Sequence, residues 1–455
     1  MKKLLLLLLL VCVSYANSQE FEEREVIGNL DTVWELFWGD DDHLWITERY
    51  GRISRVNPET GDIQHLITID DVFEDGERGL MGLFKYNIDG KEYAYTVYTY
   101  LRGEDTYIKL VRYEYDGSKL IDPTIIMDDI RGYWNHDGAR IWIDSSDETM
   151  YLAMGDRAVT QTAQDLDSYN GKILRMNLDG SVPDDNPFDG SHVWSYGHRN
   201  PQGLIMHNGI LYSAEHGPNT DDELNIIEKG RNYGWPHVNG YCDKPSEMDY
   251  CEQNDVVEPI LSMSPQRTYA VCGIDFYDND LIEEWKNSVL VVALKDRMLV
   301  QVKLDPTGRE VLEENFFFKG KYGRLRDVCV SPDGRVFLGT SNRDGRGSPG
   351  DTDDRIIEIK PKSTSVEEES RGELNCFPNP ASGSINIDFG GDSGNSVLSV
   401  INILGNVVYS SEVENRSALD WDLTDESGRK LPSGKYFIML NGHNKTKSSQ
   451  ISIVR

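Results

Sequence analysis

The stretch NHDGARIWID, residues 135–144, sets His136 between Asn135 and Asp137, and MYLAMGD, residues 150–156, carries a strand-like run to Asp156. With both at the same end of their strands, the carboxylate would hold the imidazole in one tautomer and raise its basicity, as a general base requires. A polar surface loop is the competing reading. Arg199, Lys295, Arg324 and Arg326 each lie at or near the end of a strand-like run, in GHRN, VALKD and GRLRD. Four cations converging from separate elements repel one another unless a polyanion lies among them, and a small ligand bearing several carboxylates meets that need. Taken singly, each is an exposed charge or the partner of an Asp or Glu. In EHGPNTDDELN, residues 215–225, Gly217 and Pro218 leave their carbonyls unobstructed. Asp221, Asp222, Glu223 and the later Asp243 add oxygens suited to a hard cation. The spacing is not that of an EF-hand, and an acidic turn without metal is the alternative.

These residues need elements to bring them together. A short β-rich run, a polar loop and a second run recur along the chain: HLWITERYGRISRV from 43, YAYTVYTY with YIKLVRYEYDG from 93, MYLAMGD with GKILRMNLDG from 150. The pattern continues with GILYSAEHG from 209, SVLVVALKDRMLVQVKL from 288, and GRVFLGTSN with DRIIEIKP from 334. Six strand-rich units separated by Gly, Asp and Pro turns predict an all-β chain whose body is a six-bladed β-propeller, with long loops gathered at one mouth of a central channel. A β-sandwich with long loops is the alternative.

The two ends read differently. MKKLLLLLLLVCVSYANSQE has the basic start, short apolar run and small-residue exit of a secretory signal, assigned to residues 1–18. The propeller is expected over 19–361. Residues 362–375, polar and acidic, read as a linker. From 376 to 455, alternating runs such as GSINIDF, VLSVINILG and GKYFIML predict a small C-terminal β-sandwich. With 77 acidic against 46 basic side chains, the net charge of −31 argues against nucleic acid or an anionic membrane as partner. Export exposes cysteines to oxidising conditions, so Cys242 and Cys251, nine apart in a polar loop, are the expected disulfide. Cys272, Cys329 and Cys376 are expected to stay as small apolar side chains.

The tail resembles the type A C-terminal sorting domain of the Bacteroidetes type IX secretion system, through FPNPASG, INILGNVVY, LPSGKYFIML and KSSQISIVR in that order. That resemblance implies export, as a secreted or cell-surface protein, through the type IX machinery. A carbohydrate-binding or adhesion module is the other reading of these strands. From about 25 to 361, GERGLMGL, NHDGAR, YLAMGDR, YNGKILRMNLDGSVPDDNPF, GHRNPQGL, EHGPNTDDELNIIEKGRNYGWP, VLVVALKD, GRLRDV and SPDGRVFLGT occur in order. They resemble the soluble pyrroloquinoline quinone (PQQ)-dependent sugar dehydrogenases of the glucose/sorbosone dehydrogenase family.

The resemblance implies a quinoprotein that oxidises the C1 hydroxyl of an aldose by hydride transfer to PQQ and passes electrons to an external acceptor. His136 would be the base and Asp156 its orienting partner. Glu77, Gln161, Arg199, Asn200, Lys295, Arg324 and Arg326 fall on cofactor-binding positions. The carbonyls of Gly217 and Pro218 would bind the cofactor's Ca²⁺, and Glu223, Tyr233, Asn239, Tyr241 and Asp243 fall on a second, structural Ca²⁺ site. Three departures bear on the sugar: RTYAVCGIDFY from 267, where Tyr269 and Cys272 are expected to reshape the substrate side; Asn135; and His216 before Gly217. The rival functions are a non-catalytic secreted propeller that binds a glycan or protein, and a calcium-dependent lactonase, which would need an acidic rather than a cationic channel.

Overall fold

The computed structural model describes residues 21–362, 372–389, 395–403, 405–441 and 446–455. The expected signal segment 1–18 and most of the expected linker 362–375 lie outside the described residues. The chain divides into two compact units, residues 1–362 and 363–455.

The first unit is the six-bladed propeller. Its six sheets are four-stranded and antiparallel; five are built in sequence order, from residues 33–68, 80–131, 138–196, 201–263 and 271–317. The sixth takes three strands from 325–361 and its outermost strand from Phe21–Ile27, which pairs antiparallel with Ile356–Pro361. This joins the chain's beginning to its last blade and leaves the ring without an open seam. Between blades, apolar side chains fill the wedges, for example Ile205, Leu224, Val291 and Val300 between the fourth and fifth.

The innermost strand of each blade, Val33–Trp38, Leu80–Ile88, Gly138–Asp144, Pro201–His207, Val271–Tyr277 and Leu325–Val330, neighbours its counterparts on either side and so walls the channel. All six share one irregularity: near its first residues each slips register against the second strand of its blade. A bulge re-aims the side chains beside it. Repeated six times at one mouth, it turns side chains of consecutive blades toward a common centre.

The channel is not hollow. Arg140, buried under the Trp34 ring at 4.3 Å, donates to Glu35 at 2.5 Å, Asp327 at 3.0 Å and the Gln202 carbonyl at 2.6 Å. Four blades are tied by one guanidinium. Outside the blades, a helix over Pro245–Asn254 is stapled by Cys242–Cys251, the expected disulfide, with a Cα separation of 6.5 Å. Cys272 and Cys329 are buried and free, and Cys376 is free and half-buried.

The second unit packs a five-stranded against a three-stranded sheet. Ile385, Ile387 and Trp421 of the smaller sheet share a core with Leu398, Val400, Ile438 and Ile451 of the larger, the expected β-sandwich.

Candidate active site

At the bulged mouth lies a cavity of about 910 Å³. Loops and strand starts of separate blades bring His136, Arg199, Gly217, Pro218, Lys295, Arg324, Arg326 and Glu77 to it, across 250 residues of sequence.

His136 is positioned by its backbone. It sits at φ 61°, its N–H donates to Glu77 at 3.2 Å, and its carbonyl accepts the Arg157 N–H at 3.0 Å. Gly155 allows that close approach: a Cβ there would stand 2.1 Å from the His136 carbonyl. The imidazole Nδ1 lies 2.8 Å from Asp156 Oδ1. Asp156 is wholly buried, and its other oxygen accepts the Trp235 indole N–H at 2.8 Å. A carboxylate can only accept here, so the neutral imidazole carries its proton on Nδ1 and leaves Nε2 as the acceptor available to a ligand.

The cations surround the same space. Arg199 donates to the His216 carbonyl at 3.1 Å and lies 5.4 Å from the Trp235 ring; no carboxylate pairs with its guanidinium among the described residues. Arg326 donates to Gln202 Oε1 at 2.8 Å and likewise has no carboxylate partner there. Burial lowers the pKa of both guanidiniums, which marks the cost of holding these charges without a counter-ion. Burial between Arg199 and Arg326 also pushes His216 well below its usual range, so its ring is neutral. The Lys295 side chain is exposed to the cavity. Arg324 differs: it pairs with Asp344 at 2.7 Å.

Buried polar atoms without partners concentrate here: Arg199 Nε, both amide atoms of Asn200, His216 Nε2, Arg326 Nε and Asn135 Oδ1. Such groups are rare in a folded interior and point to a missing partner. A polycarboxylate among Arg199, Arg326 and Lys295 meets the excess charge, so the residues present fit PQQ.

The candidate metal residues are less gathered. Gly217 and Pro218 line the cavity in a turn so tight that a Cβ on Gly217 would stand 1.8 Å from the Thr220 carbonyl. Asp222 is not an available ligand: its carboxylate accepts from Gly217, Ser264, Thr268, Tyr269 and Ala270. It is a structural knot. Glu223 accepts the Gly240 N–H at 2.9 Å, and Asn239 donates to Asp221 at 3.1 Å, so the 239–243 loop rests on these acids. Burial, with Glu215 nearby, pushes Glu223 up to about 8. The Tyr233 hydroxyl is committed to Ile226 and Glu228, and that of Tyr241 to Ser262, which leaves only their carbonyls. No group of three or more His, Cys, Asp or Glu side chains suited to a metal occurs among the described residues.

Two of the expected cofactor residues are not part of the cavity wall. Gln161 is exposed on a 3₁₀ turn and does not line the cavity. Asn200 is buried behind the lining. Cys272 does not reshape the substrate side: it is buried in the core, its thiol directed at the Val292 and Leu325 carbonyls. Tyr269 packs on Phe316, while its neighbours Thr268 and Ala270 reach the cavity. Sequence reading missed Trp235 and Gln202, which orient Asp156 and Arg326, and Trp134 and Arg346 on the rim. Trp235 lies in the quoted NYGWP, and Trp134 directly precedes NHDGAR.

Comparison with known proteins follows this geometry. The family described as Glucose / Sorbosone dehydrogenase matches residues 30–348, and the secretion system C-terminal sorting domain matches 375–454. The quinoprotein glucose dehydrogenase B of Acinetobacter calcoaceticus is 32% identical, over 70% of this chain and 85% of that protein. An aldose sugar dehydrogenase of Escherichia coli is 29% identical, over 74% of this chain and 95% of that protein. The PQQ-bound aldose sugar dehydrogenase of Streptomyces coelicolor superposes with a TM-score of 0.63 at 32% identity, covering 76% of this chain and 99% of that one.

Proposed function

Because the chain belongs to the glucose/sorbosone dehydrogenase family, we propose that it is a PQQ-dependent quinoprotein oxidising the C1 hydroxyl of an aldose-type sugar to the lactone. When bound, PQQ with its Ca²⁺ would supply the hydride acceptor. Everything else falls to the chain. Arg199, Lys295 and Arg326 would hold the carboxylates of the cofactor through charge-assisted hydrogen bonds, with Arg324 balanced by Asp344. The Gly217 and Pro218 carbonyls would hold the Ca²⁺, and Glu223, Asp243 and the carbonyls of Tyr233, Asn239 and Tyr241 would hold a second, structural one.

His136 Nε2 takes the C1 hydroxyl proton as the hydride leaves the same carbon, so the carbonyl of the lactone forms without a free alkoxide. Asp156 keeps Nε2 unprotonated beforehand and stabilises the imidazolium afterwards. An external acceptor then removes the electrons. The observation that carries this reading is the pairing, in one cavity, of a carboxylate-anchored histidine with cations that lack carboxylate partners. A glycan-binding propeller has no use for that pairing.

The C-terminal unit supports export through type IX machinery to the cell surface or the medium. Loading the purified protein with PQQ and Ca²⁺ and analysing the sugar product tests the chemistry. An aldonolactone, or its hydrolysed acid, is expected; a loaded protein that leaves every aldose intact would sink the reading.

A further inference from the structure

Eight of the nine tryptophans are buried or half-buried; Trp134 alone is exposed, at 44%, and it lines the cavity two residues from His136. Tyr133 beside it is 46% exposed, its ring centroid 6.1 Å away at 54°, and it does not line the cavity. Of the pair, Trp134 reaches the cavity beside His136 and Tyr133 presents its ring to solvent next to it.

The backbone that carries these aromatics is anchored. The Trp134 carbonyl accepts the Glu77 N–H at 2.9 Å, and the Tyr133 N–H donates to buried Asp137 at 2.9 Å. Neither the Trp134 indole N–H nor the Tyr133 hydroxyl has a hydrogen-bond partner among the described residues. Two large apolar faces held in water, each with an unused polar tip, call for a ligand that is both apolar and rich in hydroxyls. A pyranose ring is such a ligand, with a C–H face and a hydroxyl rim. Glu74, paired with Arg49, and Asp75, paired with Arg78, line the cavity nearby, each with an oxygen outside its ion pair that can accept from the hydroxyls. At about 910 Å³ the cavity lies near the upper end of the usual range for ligand sites, which leaves room for a sugar beside a cofactor.

We propose that Trp134 and Tyr133 are two stacking platforms in series, and that the site selects saccharides of two or more units over monosaccharides. The inference rests on the aldose-oxidising reading above. Trp134 carries the reducing-end ring, whose C1 hydroxyl meets His136, and Tyr133 carries the next ring outward.

The test compares glucose, cellobiose and maltotriose as substrates of the PQQ- and Ca²⁺-loaded protein. Tyr133→Ala should raise KM for cellobiose and maltotriose about three- to tenfold more than for glucose, while Trp134→Ala raises it for all three and Trp134→Phe restores most of the loss. A Tyr133→Ala effect that is equal for all three sugars, or absent, overturns the platform while leaving the dehydrogenase reading intact. If the loaded protein oxidises none of them, that reading falls instead, and calorimetry on the apoprotein decides the platform. Maltotriose binding tighter than glucose, with the difference lost in Tyr133→Ala, upholds it; no such difference overturns it.

Discussion

Asp156 Oδ2 accepts the Trp235 indole N–H at 2.8 Å while its Oδ1 faces His136 Nδ1 at the same distance. The tryptophan thus aims the carboxylate that holds the His136 ring. Trp235 also lies 5.4 Å from the Arg199 guanidinium, so one indole touches both the carboxylate behind His136 and a cation without a carboxylate partner among the described residues.

His136→Ala should lower turnover by about 10² to 10⁴ while quinone affinity changes little, because the cations that hold the cofactor do not depend on the imidazole. Asp156→Asn should lower kcat in the same direction, since an amide cannot accept from both His136 and Trp235. Steady-state kinetics at saturating quinone, with quinone affinity titrated separately, gives both results.

Arg326→Ala should do the reverse and weaken quinone binding first. Charge-assisted hydrogen bonds contribute about 1.5–3 kcal/mol, roughly ten- to a hundredfold in Kd. Chelation of Ca²⁺ should weaken quinone binding in the parent as well, and should lower the melting temperature because the ion binds only the folded chain. A chelator-indifferent melting curve and affinity would remove calcium from the account.

Arg140→Met should destabilise the propeller by about 3–5 kcal/mol, because it strands Glu35 and Asp327 in the channel without their shared cation. Urea unfolding of residues 1–362 measures it.

Asp275 gives the pH dependence. Burial pushes its carboxyl up to about 7, against the opposing backbone N–H groups of Val330 and Phe276. A carboxyl whose pKa is raised on folding binds its proton more tightly in the folded state. Its contribution to stability is therefore complete below the ordinary carboxylate pKa near 4 and is lost as pH rises through about 7. Asp275→Asn should flatten the fall in melting temperature between these limits; an unchanged slope would clear Asp275 of the effect.

Much of this was legible in the sequence, for physical reasons. The strands announce themselves by alternation, and the Gly, Asp and Pro turns between them set the six units. His136, Asp156, Arg199, Lys295 and Arg326 lie at strand ends, which a propeller gathers at one mouth. Side-chain commitments were not legible. Asp222 reads as a metal ligand until its five donors are seen, Gln161 reads as a cofactor residue although it is not among the residues that line the cavity, and Arg324 reads as a free cation until Asp344 meets it. Each depends on a neighbour that local spacing does not reveal. The closing strand of the sixth blade is the same kind of case, since Phe21–Ile27 finds its partner more than 300 residues away.

The central claim is that the cavity holds PQQ against Arg199, Lys295 and Arg326 so that His136 can deprotonate a sugar. Titrating the apoprotein with PQQ in the presence of Ca²⁺, then adding an aldose panel with an artificial acceptor dye, tests it most directly. The account predicts saturable binding of one quinone per chain and aldose-dependent dye reduction that His136→Ala suppresses without loss of the bound quinone. A chain that binds no quinone, or one that binds it and reduces the dye equally well with and without His136, would contradict it.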